Sequence, residues 1–173
     1  MSPRWKAWIA RRWMPTGLRL QGMRLAYMRM LGHLAADPDP AARARVAAAS
    51  AALGEDLAVD LKAELGLGDS LADADAAWAI GCAAFGLGYT RETAPGVVTY
   101  DHTGCALWRF FKDQGQCHCA TVCLPMVERV TAGLAPSVAM TIDRSPSLEH
   151  GCRKSLRTAP PPPNAPPAYN RGV

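Results

Sequence analysis

The sequence predicts an α+β fold in which N-terminal helices pack on a small, mostly antiparallel C-terminal sheet with one or two helices inserted. Two observations lead to this class. Up to about residue 88, apolar residues recur at helical spacing along most of the chain. After the turn signal Pro95-Gly96, runs rich in β-branched residues alternate with helical segments, which indicates strands. The chain therefore divides into a helical half and a mixed half.

The first half contains four predicted helices. Asp39-Pro40 is a start signal, because Asp caps a helix and Pro suits its first position. The Ala-rich helix that follows is predicted to end at Gly54. Ser70 and Asp73 resemble a capping box that opens the last of the four. The predicted helices cover residues 17–33, 41–53, 56–65 and 71 to about 86.

The second half alternates strands and helices. Residues 97–100 form a β-branched and aromatic run that suits a strand. Residues 137–143 alternate apolar with polar or small side chains, as a half-buried strand does. A last strand is predicted near 151–158. Two helices are predicted between these strands, over 106–112 and 116–131.

One domain over 1–158 is predicted, because 173 residues can bury a core without disulfides. The segment 1–33 is basic and rich in Trp and Met, and we expect it to cover the core or form a homo-oligomer interface, not to bind nucleic acid. The Pro-rich tail 159–173 is predicted to be disordered. The sequence lacks a long apolar run and a secretory signal, so no membrane span and a cytoplasmic location are expected.

Three cysteines and a histidine lie within the stretch GQCHCATVC, residues 115–123. One CxC and one CxxxC match no standard zinc finger, so no metal is predicted. If the segment is helical, Cys119 and Cys123 lie one turn apart on the same face. Core packing, thiol chemistry and metal binding all stay open here. The alternative zinc ligands are Cys117, His118, Cys119 and Cys123.

Cys105 stands between a predicted strand and the start of a predicted helix. There its sulfur would meet unpaired backbone N–H groups and the positive end of the helix dipole, and both lower the pKa of a thiol. His102, three residues earlier, is a candidate base or hydrogen-bond partner. The pair therefore predicts a reactive thiol, with a buried cysteine beside a surface histidine as the alternative.

The order of these features resembles a known family. A strand with Tyr100 leads to Gly104-Cys105 at a helix start, Cys123 lies in the next helix, and a strand then reaches Arg144. This order is similar to the C-terminal half of the L-2-amino-thiazoline-4-carboxylic acid hydrolase-like family. The resemblance covers roughly residues 70–158 and implies an α+β fold and a cysteine-dependent hydrolase.

The implied substrate is a small cyclic amidine or amide whose carbon–nitrogen bond is hydrolysed. In this mechanism a cysteine thiolate attacks the C=N carbon, and a histidine passes the proton to the leaving group. An arginine would hold a substrate carboxylate. The candidate catalytic residues are Cys105, Cys123, His102 and His118, and the candidate substrate-binding residues are Arg144, Tyr100 and Cys119.

The sequence departs from the family at three places, one of which is Ser155, near the position of a second late Cys that is displaced here to Cys152. Ala106 stands where the family has Pro, and Met126 stands where it has Asp. The missing Asp favours an alternative function, a non-catalytic small-molecule-binding or sensor domain similar to the vinyl-reductase-like domains. A zinc-binding protein is the third alternative.

Overall fold

The computed structural model describes residues 16–159, which form five α-helices and one four-stranded sheet. The helices are α1 (Thr16–Ala35), α2 (Pro40–Leu65), α3 (Leu71–Phe85), α4 (Ala106–Asp113) and α5 (Cys119–Leu134). The strands are β1 (Leu87–Ala94), β2 (Val97–Cys105), β3 (Val138–Arg144) and β4 (Arg153–Thr158). All strand pairs are antiparallel, in the order β1-β2-β4-β3. The predicted α+β fold, with α4 and α5 inserted between strands, is confirmed.

Some predictions on chain organisation concern residues outside the described range. These are 1–15, which belong to the basic Trp/Met-rich segment, and 160–173 of the predicted tail. Homo-oligomerisation through the N-terminal helices stays a prediction. Within residues 16–159, none of the helices has both the length and the apolar character needed to cross a bilayer. Helix α1 exposes several large apolar side chains, Leu20, Met23, Met30 and Leu34.

Helix α2 is continuous over 26 residues, so the predicted end at Gly54 is wrong. Asp39 caps the helix as expected by accepting two backbone N–H groups, and Gly66 ends it in the left-handed conformation with φ 62°. Gly54 instead packs against α5, where an added Cβ would lie 2.3 Å from the backbone oxygen of Met126. The glycine therefore permits two helices to approach closely and does not stop α2.

Helix α3 begins and ends where the sequence predicts. The hydroxyl of Ser70 accepts the backbone N–H of Asp73 at 3.1 Å, and Gly86 closes the helix with φ 64°. In the middle of α3, the indole N–H of Trp78 donates to the hydroxyl of Thr131 at 2.9 Å. This buried bond joins α3 to α5.

Strand β1 is not predicted from the sequence. Its later residues are polar and exposed, so the segment shows no apolar alternation. It is an edge strand that pairs with β2 through the turn at Pro95-Gly96, where Gly96 has φ 70°. Backbone pairing with β2, and not burial of alternate side chains, therefore defines this strand.

One face of the sheet packs against the helices. Alternate residues of β2, namely Val98, Tyr100 and His102, are buried on this face. Lys154 and Leu156 of β4 lie on the same face, because they pair with Tyr100 and Val98 across the ladder. Both are buried. The register of β4 therefore places a lysine within the apolar interior.

Candidate functional site

A cavity of about 150 Å³ lies between helices α2, α3 and α5 and the buried face of the sheet. Ile80 and Ala84 line it and are exposed, so it reaches the surface of the described portion of the chain. Lys154 and His102 are the lining side chains that can carry a positive charge. The walls are otherwise mainly apolar and include Leu57, Leu61, Trp78, Phe85, Met126 and Val130.

Lys154 is 2% exposed. Its Nζ lies 5.0 Å from the centroid of the Trp78 ring, a cation–π contact. None of the salt bridges within residues 16–159 involves this lysine. Burial opposes its charge, the sulfurs of the surrounding cysteines favour the charge, and the pKa of Lys154 is raised overall. The cavity thus contains an ammonium group with no carboxylate partner.

His102 is also 2% exposed. Its ring stacks on that of Tyr100 with the centroids 6.1 Å apart, and its backbone N–H donates to the carbonyl of Cys152 at 2.9 Å. Its Nε2 has no hydrogen-bond partner among the described residues. Burial, and after it the charge of Lys154, lowers the pKa of His102 to about 3. The imidazole is therefore neutral near pH 7 and has one ring nitrogen free.

Three of the candidate site cysteines come together in the core. Cys105, Cys119 and Cys123 belong to one buried apolar cluster with side chains of α1 and α4, including Phe111. None of these three lines the cavity that contains Lys154, although Cys123 lines a smaller one of about 30 Å³. The sulfur at the cavity belongs to Cys82 of α3, which is not among the predicted site residues.

The predicted place of Cys105 at a helix start is confirmed, because it caps α4 and its Sγ accepts the backbone N–H of Trp108 at 3.4 Å. The predicted lowering of its pKa is wrong. Burial raises the pKa of Cys105 to about 11, and the bond from Trp108 offsets only a fraction of this effect. Burial also raises the pKa of Cys82 to about 12. The pKa values of Cys119 and Cys152 are raised for the same reason. Desolvation therefore outweighs the helix end.

Arg144, predicted to hold a substrate carboxylate, is already paired within the chain. Its guanidinium donates to a carboxylate oxygen of Asp101 at 2.5 Å and to the carbonyl of Gly151 at 3.2 Å. Alternation along β2 places Asp101 on the sheet face opposite Tyr100 and His102. Arg144 is therefore not among the residues that line the cavity.

Tyr100 and His118 have partners elsewhere. The hydroxyl of Tyr100 donates to the backbone carbonyl of Asp75 at 3.0 Å. The Nε2 of His118 lies 2.6 Å from Oε1 of Gln116. Neither side chain lines the cavity. Within residues 16–159, no three His, Cys, Asp or Glu side chains are arranged to hold one metal ion. Zinc binding by Cys117, His118, Cys119 and Cys123 stays an alternative to the predicted absence of a metal.

Lys154 and Trp78 are not among the predicted site residues. Lys154 lies two positions before Leu156 in a predicted strand, and this spacing puts both side chains on one face. That alternation is the signal that could have indicated a buried lysine. It is not sufficient by itself, because the helices that cover this face come from earlier segments of the chain.

The candidate site therefore consists of an apolar cavity, the ammonium of Lys154 and the neutral ring of His102, with the thiol of Cys82 beside them. This arrangement offers charged and neutral nitrogen donors to a molecule enclosed by apolar side chains. Comparison of the chain with protein families, curated proteins and solved structures found no match.

Proposed function

We propose that the protein is a small-molecule-binding domain and that the cavity is its binding site. The observation that carries this proposal is the Nε2 atom of His102, which is buried without a partner among the described residues and belongs to a side chain that lines the cavity. Buried polar atoms are nearly always hydrogen-bonded, and a bound molecule would supply the missing bond. Apolar walls with a few polar groups are also the usual composition of ligand pockets.

The volume of the cavity limits the ligand. A cavity of about 150 Å³ in an apolar interior accepts a benzene ring. A molecule of roughly six to ten non-hydrogen atoms is therefore the expected size, and nucleotides and peptides are too large. The exposed lining residues Ile80 and Ala84 mark the side from which such a molecule enters.

The cysteine-dependent hydrolase that the resemblance implies stays a second prediction with less support. That chemistry requires a thiolate and a base within hydrogen-bond reach. Burial raises the pKa of Cys105 to about 11, and this thiol does not line the cavity that contains His102. Cys82 does line it, but burial raises the pKa of Cys82 to about 12.

Filling the cavity is expected to abolish binding. Gly81 of α3 lines the cavity, and a Cβ added there meets no atom within 4 Å. We expect Gly81→Leu to occupy this space and to weaken the binding of toluene and benzyl alcohol by about tenfold or more. Isothermal titration calorimetry on the full chain measures this change.

Gly22 of α1 provides the matched control. A Cβ at Gly22 also meets open space, but the residue is exposed and does not line the cavity. Gly22→Leu should therefore bind as the wild type does. Leucine favours helices over glycine, so both variants are expected to melt at or above the temperature of the wild type. The proposal fails if neither compound binds the wild type, or if Gly81→Leu binds them equally well.

A further inference from the structure

We infer that the ligand of this cavity is a compact apolar monocarboxylate, held through its carboxylate by Lys154 and His102 and through its body by the apolar walls. This inference rests on the proposed function and names the ligand class of the same site. It starts from three features: the buried positive charge, the free imidazole nitrogen and the volume of the cavity.

The charge of Lys154 is the first feature. A buried ion without a counter-charge costs several kcal/mol, because its hydration is lost. The ring of Trp78, with its centroid 5.0 Å from Nζ, offsets some of this cost. The other lining residues carry no acidic group. A ligand with one negative charge would therefore balance the charge of Lys154. A dianion would leave one buried negative charge unbalanced, and a cation would be repelled.

Most of the cysteines near Lys154 are weak sources of that negative charge. Burial raises the pKa of Cys82 to about 12 and that of Cys105 to about 11, and it also raises the pKa of Cys152. The sulfur that contributes most to the raised pKa of Lys154 is that of Cys123, ahead of these three. The residues that line the cavity include no carboxylate, so a carboxylate counter-charge for Lys154 would come from a bound molecule.

His102 indicates which anionic group fits. Its neutral ring can donate a hydrogen bond from Nε2, the atom that has no partner within residues 16–159. Lys154 and His102 both line the cavity. A carboxylate has two oxygens and one negative charge, so it can accept from both donors at once. An alcohol or amide would leave the ammonium without a counter-charge.

The test compares two ligands of similar size, benzoate and benzyl alcohol, by calorimetry at neutral pH. We expect the wild type to bind benzoate about tenfold more tightly or better, because a charge-assisted hydrogen bond in a dry site is much stronger than a neutral one. Lys154→Met should lose this preference and still bind benzyl alcohol. Because the change removes an uncompensated buried charge, the variant is expected to fold at least as well as the wild type.

Lys112 offers the matched control, because its Nζ lies 4.9 Å from the centroid of the Trp108 ring, outside the cavity. Lys112→Met should keep the preference for benzoate. The inference is overturned if the wild type binds both ligands equally well, or if Lys154→Met keeps the preference for benzoate. In either case the binding of benzyl alcohol would still support the proposed function. Failure of both ligands to bind the wild type would overturn the inference and the proposed function together.

Discussion

Gly54→Ala is expected to lower the free energy of unfolding by about 3 kcal/mol. The added Cβ would lie 2.3 Å from the backbone oxygen of Met126 and 3.0 Å from the Cβ of Arg129. A backbone atom inside a helix cannot turn away as a flexible side chain can, so α2 and α5 must separate. Urea denaturation, with the midpoint and slope compared to the wild type, measures the loss.

Gly81→Ala separates this contact from the general effect of glycine in a helix. Both glycines lie within helices, but a Cβ at Gly81 meets nothing within 4 Å. Alanine is the better helix former, so Gly81→Ala should raise the free energy of unfolding by about 0.5 to 1 kcal/mol. If both substitutions stabilise the protein, then α2 and α5 do not approach each other closely at Gly54.

Acidification from pH 7 to pH 5 is expected to lower the free energy of unfolding, and His102 should cause most of the change. Its pKa is about 3 in the folded chain and returns to the ordinary value of 6.5 on unfolding. At pH values between 3 and 6.5 the imidazole is protonated in the unfolded chain and neutral in the folded chain. The contribution of the neutral ring to stability is therefore complete above pH 6.5 and is lost as the pH falls towards 3. At pH 5 the loss is on the order of 2 kcal/mol.

His102→Gln should remove most of this pH dependence, because glutamine does not titrate. A smaller contribution should remain, since burial also lowers the pKa of His118. The pKa of Asp75 is lowered, first by its hydrogen bond from Arg91. Its contribution to stability is therefore lost only near and below pH 3.8, the ordinary pKa of the group. The window from pH 5 to 7 therefore reports on histidine. Chemical denaturation at several pH values gives the slopes.

His33→Gln is the control for the acid effect, because His33 lies exposed near the end of α1. A slope that is the same in His102→Gln as in the wild type would show that the ring of His102 is not held in dry surroundings.

Local signals in the sequence were sufficient for most element boundaries. The caps at Asp39 and Ser70 and the position of Cys105 at a helix start depend on hydrogen bonds between residues two or three apart. The alternation in β3 likewise follows from which side chains of one strand are apolar. Such interactions involve only neighbouring residues, so the sequence by itself determines them.

Other features depend on contacts between distant residues. From neighbouring residues alone, Gly54 resembles the end of a helix. Its close approach to the backbone oxygen of Met126 on α5 explains why a glycine stands inside a continuous helix. Strand β1 pairs with β2 at the sheet edge and has polar, exposed later residues, so apolar alternation could not reveal it. Here backbone pairing and helix packing decide the structure.

The candidate site belongs to this second group. The sequence by itself determined that the chain has free cysteines near helix starts and a histidine in a strand, and these led to a prediction of thiol chemistry. The tertiary structure decided which groups are desolvated and which face the cavity. Burial raises the pKa of Cys105, and pairing with Tyr100 puts Lys154 inside. The physical reason is that capping acts over a few residues, whereas desolvation depends on every element packed around a group.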